Sequence, residues 1–143
     1  MESPIQLDAL YFVAPQIVAE DLSELKAMGF ERVINNRPDA ESDGQPSGES
    51  LRVVAEALGL EYISNPIALP TLSQVEVDLQ GKALNDDKKT LAFCRTGTRS
   101  SVLWVLLENS QGKEAESLTS YVSSKGFDLS RCSSAMAPLL KAK

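Results

Sequence analysis

The chain has 143 residues, a formal net charge of -6, 43% hydrophobic and 24% charged residues, and no histidine. That length makes about one ordinary domain, expected over 1–143, able to fold without covalent staples. The acidic balance argues against nucleic acid, which needs a basic face, and the missing histidine excludes a Ser-His-Asp triad, a histidine base and any histidine-ligated metal.

The predicted elements alternate regularly. Tyr11-Phe12-Val13 reads as a short strand. Val18, Leu22, Leu25 and Met28 share one face of a helix over 18–28, with Gly29 as its stop. Arg32-Val33-Ile34-Asn35 is the next strand, followed by a loop over 36–48 rich in Asn, Pro, Asp, Gly and Ser. A helix is expected over 49–58, a strand at Glu61-Tyr62-Ile63-Ser64, and a loop over 65–72 with Pro66 and Pro70. Ser73 with Glu76 three residues on forms a capping-box signal for a helix reaching Leu84. Thr90-Leu91-Ala92-Phe93 is a short apolar strand, 95–98 a loop, and 101–108 an apolar helix with Trp104 in the core. Helices over 113–125 and 133–141 complete the chain, covering the core or a partner.

This order predicts an α/β fold: a central parallel sheet of about four strands flanked by helices. Ligands in such folds sit beyond the carboxyl ends of the strands, where the 36–48, 65–72 and 94–99 loops would meet. Met1-Glu2-Ser3-Pro4 carries neither the basic nor the apolar part of a leader, and no apolar run approaches the roughly 18 residues of a membrane span. Two cysteines cannot build a disulfide framework and make a poor zinc site, so the expectation is a cytoplasmic protein with no metal, no cofactor and no membrane partner.

The chemistry concentrates in Phe93-Cys94-Arg95-Thr96-Gly97-Thr98-Arg99-Ser100. A strand delivers Cys94 into a tight turn that opens a helix. Backbone N–H groups of such a turn form an anion nest, and the helix start favours negative charge, so a thiolate is stabilised there as a nucleophile. Gly97 permits an inward bend, with positive φ where required. Arg99 offers a planar fork of donors to an oxyanion. Ser100 is placed to donate its hydroxyl to the Cys94 sulfur. Thr96 and Thr98 contribute mainly backbone N–H groups, and Arg95 tends to the solvent or the loop rim. Cys132 reads as structural, with a resolving thiol as the other option. The expected partner is a small anionic or sulfur-donor substrate.

Several runs are shared with a known bacterial family. They are Val13-Ala14-Pro15-Gln16, Gly29-Phe30, Asn35-Asn36-Arg37-Pro38-Asp39 with Glu41, Gln45-Pro46, and Cys94-Arg95-Thr96-Gly97-Thr98-Arg99-Ser100 followed by Leu103-Trp104. In these the chain resembles the phosphatase-like domain of the beta-lactamase hydrolase-like proteins. The resemblance implies a protein tyrosine phosphatase-like fold, with Cys94 as nucleophile and Arg99 as anion clamp. Arg37 joins the substrate-binding candidates, and Asp39 or Glu41 supplies a general acid if their loop closes over Cys94.

Three departures separate the chain from the tyrosine phosphatase pattern. Arg99 stands five residues after Cys94, one fewer than in Cys-x-x-Gly-x-x-Arg-Ser, and this spacing is similar to that of rhodanese-type sulfurtransferases. Phe93 replaces the usual histidine before the nucleophile. The 65–72 loop, where phosphatases carry their aspartic acid, has no carboxylate. Expelling sulfite from thiosulfate needs no proton, whereas an alkoxide leaving group does. The leading expectation is therefore a sulfurtransferase carrying a persulfide on Cys94. The alternative is a phosphatase acting on small or aryl phosphates through a phosphocysteine, and the third is a non-catalytic anion-binding or thiol-sensing module.

Overall fold

In the computed structural model, residues 3–141 are described. Met1 and Glu2, which entered the argument about the N-terminus, and the last two residues of the expected 1–143 unit lie outside that range. The four predicted strands form as β2 (Tyr11–Ala14), β3 (Arg32–Asn35), β4 (Glu61–Ser64) and β5 (Thr90–Phe93). A fifth, β1 (Ile5–Gln6), precedes them. The sheet order is β1-β2-β5-β3-β4. All pairs are parallel except β1–β2, so the sheet is mixed rather than purely parallel. β1 escaped the sequence reading because two residues carry no period. It is held as an edge by the turn at Asp8, whose Oδ1 accepts the N–H groups of Leu10 and Tyr11, each at 3.0 Å.

β3 and β5 are the central strands, and every residue of each is buried. Their side chains alternate between two apolar layers, as strand geometry requires. Val33, Leu91 and Phe93 face α1 (Ala19–Ala27) and α2 (Gly48–Ala57), packing on Leu22, Leu25, Leu51 and Ala55. Ile34 and Ala92 face the opposite layer, which holds Val77 of α3 (Gln74–Ala83), Leu103 and Leu106 of α4 (Thr98–Ser110), and Val122 of α5 (Ala115–Ser124). The result is a three-layer α/β/α sandwich. α4 is buried from Ser100 to Leu106, with little amphipathic character, because it is enclosed by the sheet and by α3 and α5.

The predicted C-terminal helix over 133–141 does not form as one piece. A 3₁₀ turn at Ser130–Cys132, a single helical turn α6 (Ser133–Met136) and a second 3₁₀ turn at Ala137–Leu139 take its place. Pro138 lacks the N–H a continuing helix needs. No helix among the described residues is long and apolar enough to cross a membrane.

Loops 36–48, 65–72 and 94–99 meet beyond the carboxyl ends of the parallel strands. Asn36 N–H donates to the Phe93 carbonyl at 2.8 Å, and Ile67 N–H to the Asn36 carbonyl at 3.0 Å. Far from this end, the buried Arg32 guanidinium is held by Asp86 at 2.7 and 2.8 Å and by Glu61 at 2.8 Å.

Candidate active site

Cys94 follows the last residue of β5 and is buried, 1% exposed. The chain turns at Gly97, whose φ is +94° and whose N–H donates to the Cys94 sulfur at 3.1 Å. Thr98 then opens α4, so the positive end of the helix faces the thiol. Gly97 is required twice over. Its backbone is left-handed, and a Cβ there would stand 2.9 Å from Cε1 of the buried Phe127 ring. Gly97→Ala is therefore expected to destabilise the protein by about 1–3 kcal/mol, from overpacking and left-handed strain. A urea midpoint unchanged from wild type would refute the close fit of loop and ring.

Arg99 is turned inward, with its side chain 14% exposed. Nη1 and Nη2 each donate to Glu41, at 2.7 Å, and Nη1 also donates to the Ile67 carbonyl at 2.9 Å. Glu41 is shared with a second cation: the buried Arg37 donates from Nε to Glu41 Oε1 at 2.9 Å, from Nη1 to Gln16 at 3.0 Å and from Nη2 to Ser42 at 3.1 Å. Gln45 ties the loop together by accepting the Glu41 N–H and donating to the Pro38 carbonyl, both at 2.9 Å. Ala40, just before Glu41, has φ +62°, the sole non-glycine residue with positive φ among those described. That strain, of order 1 kcal/mol, is borne where the chain presents Glu41 to two guanidiniums.

The hydrogen bonds from Arg99, then from Arg37, hold the Glu41 carboxyl at about 2, well below its ordinary 4.5, against an opposing contribution from burial. Arg99 is pushed the other way, first by Glu41 and further by the nearby Cys94. Because the folded value of Glu41 is depressed, its contribution to stability is present above pH 4.5 and lost as pH falls through about 2. Wild type and Glu41→Gln are therefore expected to differ in urea midpoint at neutral pH, with the gap narrowing on acidification. A gap independent of pH down to the acid limit of folding would contradict the pairing.

The other candidates fall into three groups. Ser100 does not reach the sulfur as expected: its hydroxyl donates to Asn36 Oδ1 at 2.9 Å, because the first turn of α4 points it into the core. Asp39 is not poised over Cys94 either. Its Oδ1 accepts the Gly48 N–H at 2.8 Å and so closes the loop at the start of α2. Arg37 lies behind Glu41, one step removed from the Cys94 loop. Arg95 and Thr96 are exposed at the rim, and the Thr96 hydroxyl donates to that of Thr98 at 2.9 Å. Gly97 and Arg99 both contact Cys94, the first through its N–H and the second through its guanidinium, and Thr98 stands between them at the start of α4.

Cys132 is a buried free thiol, pushed up chiefly by burial, then by Asp128 and Cys94. No cluster of metal-ligating side chains occurs among the described residues. From the sequence, Glu41 was given no task but that of an acid, Gln16 appeared only as part of a shared run with no task, and Gln80 was not singled out. Gln80 had one available signal, a polar residue at the inward spacing shared by Val77 and Leu84.

Comparison with known proteins bears on the fold and the family. A curated beta-lactamase hydrolase-like protein of Agrobacterium fabrum is 31% identical over 87% of the chain and 30% of the relative. The chain thus spans under a third of the curated relatives it matches. A candidate phosphatase structure from Neisseria meningitidis z2491 superposes with a TM-score of 0.82 at 23% identity, covering 94% of this chain and 96% of that one. Kinase associated phosphatase superposes with a TM-score of 0.76 at 16% identity, covering 97% and 94%. The fold is therefore protein tyrosine phosphatase-like. The sulfurtransferase expectation gains no support from these likenesses, which favour its phosphatase alternative. Residues 6–111 match the model of the beta-lactamase hydrolase-like protein, phosphatase-like domain, and the chain belongs to that family.

Proposed function

We propose that the protein is a cysteine-dependent phosphatase for phosphate monoesters with good leaving groups, aryl phosphates in particular. The observation that carries this reading is the inward Arg99 fork, fixed by Glu41 and Ile67 beside a cysteine whose sulfur already accepts a loop N–H. Cys94 attacks phosphorus as the thiolate, forming a P–S bond as the ester P–O bond breaks and the aryl oxide leaves. The Gly97 N–H stays on the sulfur, while the start of α4 and Arg99 stabilise the equatorial oxygens, where preorganised donors contribute most. Water then attacks the phosphocysteine, releasing inorganic phosphate and restoring the thiolate.

The preference for activated esters follows from where the carboxylates are. Asp39 is engaged by Gly48, and Glu41 is held ionised between two guanidiniums. Neither is free to protonate a leaving group in this arrangement. A leaving group that departs as a stable anion needs no such proton, while an alkyl ester forfeits the 10²–10⁴-fold that general acid catalysis typically contributes, roughly.

The test is rapid mixing with 4-nitrophenyl phosphate. A burst of 4-nitrophenolate stoichiometric with enzyme is expected, and a phosphoryl group on Cys94 in the intact mass of quenched samples. No burst at any pH from about 5 to about 8, a range bracketing carboxylate and thiol titration, combined with a gain of one sulfur from thiosulfate, would overturn the phosphatase reading in favour of sulfur transfer.

A further inference from the structure

Beneath the Cys94 loop, five polar side chains meet inside the apolar layer. Asn36, Gln80 and Ser100 are fully buried, and Tyr11 and Asn65 are each 2% exposed. Gln80 Nε2 donates to the Tyr11 hydroxyl and to Asn36 Oδ1, each at 3.1 Å. Asn36 Nδ2 donates back to Gln80 Oε1 at 2.9 Å, making a paired amide contact. The Ser100 hydroxyl donates to the same Asn36 Oδ1, and the Tyr11 hydroxyl donates to the Ser100 carbonyl at 2.8 Å. The ring closes on itself, and among the described residues no buried polar side-chain atom lacks a partner.

A second arm reaches the neighbouring loop. Asn36 Nδ2 donates to the Asn65 carbonyl at 2.9 Å, Asn65 Nδ2 donates to Gln80 Oε1 at 2.9 Å, and the Asn36 carbonyl accepts Ile67 N–H.

What the ring holds is the setting of Arg99. Ser100 follows Arg99 directly and is gripped on both its carbonyl and its hydroxyl, which prevents the first turn of α4 from rotating. The Ile67 carbonyl that receives Arg99 Nη1 belongs to the segment that Asn36 anchors. Net stability does not explain such a ring. Desolvation offsets most of each hydrogen bond, and apolar residues of similar shape pack a core as well. A fully satisfied polar network instead selects one geometry.

We propose that Asn36, Gln80 and Tyr11 are positioning residues for Arg99, acting through Ser100 and the Ile67 carbonyl. The inference rests on the reading of Cys94 and Arg99 as the reacting pair. It assigns a task to Asn36 of the Asn-Asn-Arg-Pro-Asp run and to a helix residue with no contact to the nucleophile.

A double-mutant cycle tests it. Gln80→Met and Tyr11→Phe are each measured alone and with Arg99→Lys, reading tungstate affinity by calorimetry, kcat/KM on 4-nitrophenyl phosphate, and the urea midpoint. Gln80→Met is expected to lower tungstate affinity and kcat/KM by about 10-fold or more with Arg99 present, since small displacements of a catalytic group can cost ~10²-fold. With Arg99→Lys the same change is expected to cost less than about 2-fold, the mark of coupled residues. Tyr11→Phe is expected to give a smaller effect with the same non-additivity, and it carries the cycle if Gln80→Met does not fold.

Equal factors in both backgrounds, or unchanged tungstate affinity in a folded variant, would overturn the proposal. A wild type that binds tungstate without hydrolysing the aryl phosphate would overturn the phosphatase reading alone, and the tungstate cycle would still decide the positioning role. A wild type that binds no tungstate would overturn both.

Discussion

Cys94→Ser is expected to lower aryl phosphate turnover by at least about 10⁴-fold, since loss of a nucleophile removes the covalent route entirely. A serine hydroxyl has the shape of the thiol but not its acidity, and no histidine exists in the chain to deprotonate it. The loop itself is expected to survive. Serine oxygen still accepts the Gly97 N–H now directed at the sulfur, so the urea midpoint should move by no more than about 1 kcal/mol of stability. Phosphate or tungstate is expected to bind the variant at least as tightly as wild type, because a serine hydroxyl places no negative charge in the path of the incoming anion. Stopped-flow turnover with anion binding on the same preparation separates chemistry from folding. Activity retained within about 10-fold of wild type would remove Cys94 from the mechanism.

Arg99→Lys is the second large effect. The expected loss in kcat/KM is about 10²–10³-fold, the usual consequence of removing one preorganised donor from a developing oxyanion. Charge is kept in this variant, so the loss measures the fork. A lysine ammonium cannot bind both Glu41 oxygens and the Ile67 carbonyl while presenting further donors to a phosphoryl group. Released from Arg99, Glu41 keeps Arg37 as a partner and is expected to titrate above the value of about 2 that it has in wild type. A loss of less than about 3-fold would mean that Arg99 acts as a general positive charge and not as a geometric clamp. Comparison with Arg99→Ala then apportions charge and shape.

The two effects rest on different kinds of information. Cys94 and Gly97 were readable locally: a four-residue apolar strand, a cysteine, a glycine at the turn and an apolar helix follow one another, and neighbours in sequence are neighbours in space. The strands were legible for the same reason, since Tyr11-Phe12-Val13, Leu91-Ala92-Phe93 and the β-branched pair Val33-Ile34 each stand between turn signals. β1 was not, because two residues hold no pattern, and its pairing with Val13 and Phe12 depends on a turn set by Asp8. The C-terminal helix failed where local apolar spacing was overruled by Pro138.

By itself, then, the chain's sequence determined the α/β order and the family, and it located the cysteine, the glycine turn and the helix start on which the proposed mechanism rests. Only the tertiary structure decided which partner each polar side chain takes. Glu41 was legible as a loop carboxylate, but its engagement of Arg99 spans 58 positions. Ser100 stands close to Cys94 in sequence yet bonds to Asn36, 64 positions away, and Gln80 reaches Tyr11 across 69. Hydrogen bonding has no period along a chain. A hydroxyl or amide finds many chemically equivalent acceptors in the sequence, and the choice falls to whichever one the folded topology brings within about 3 Å.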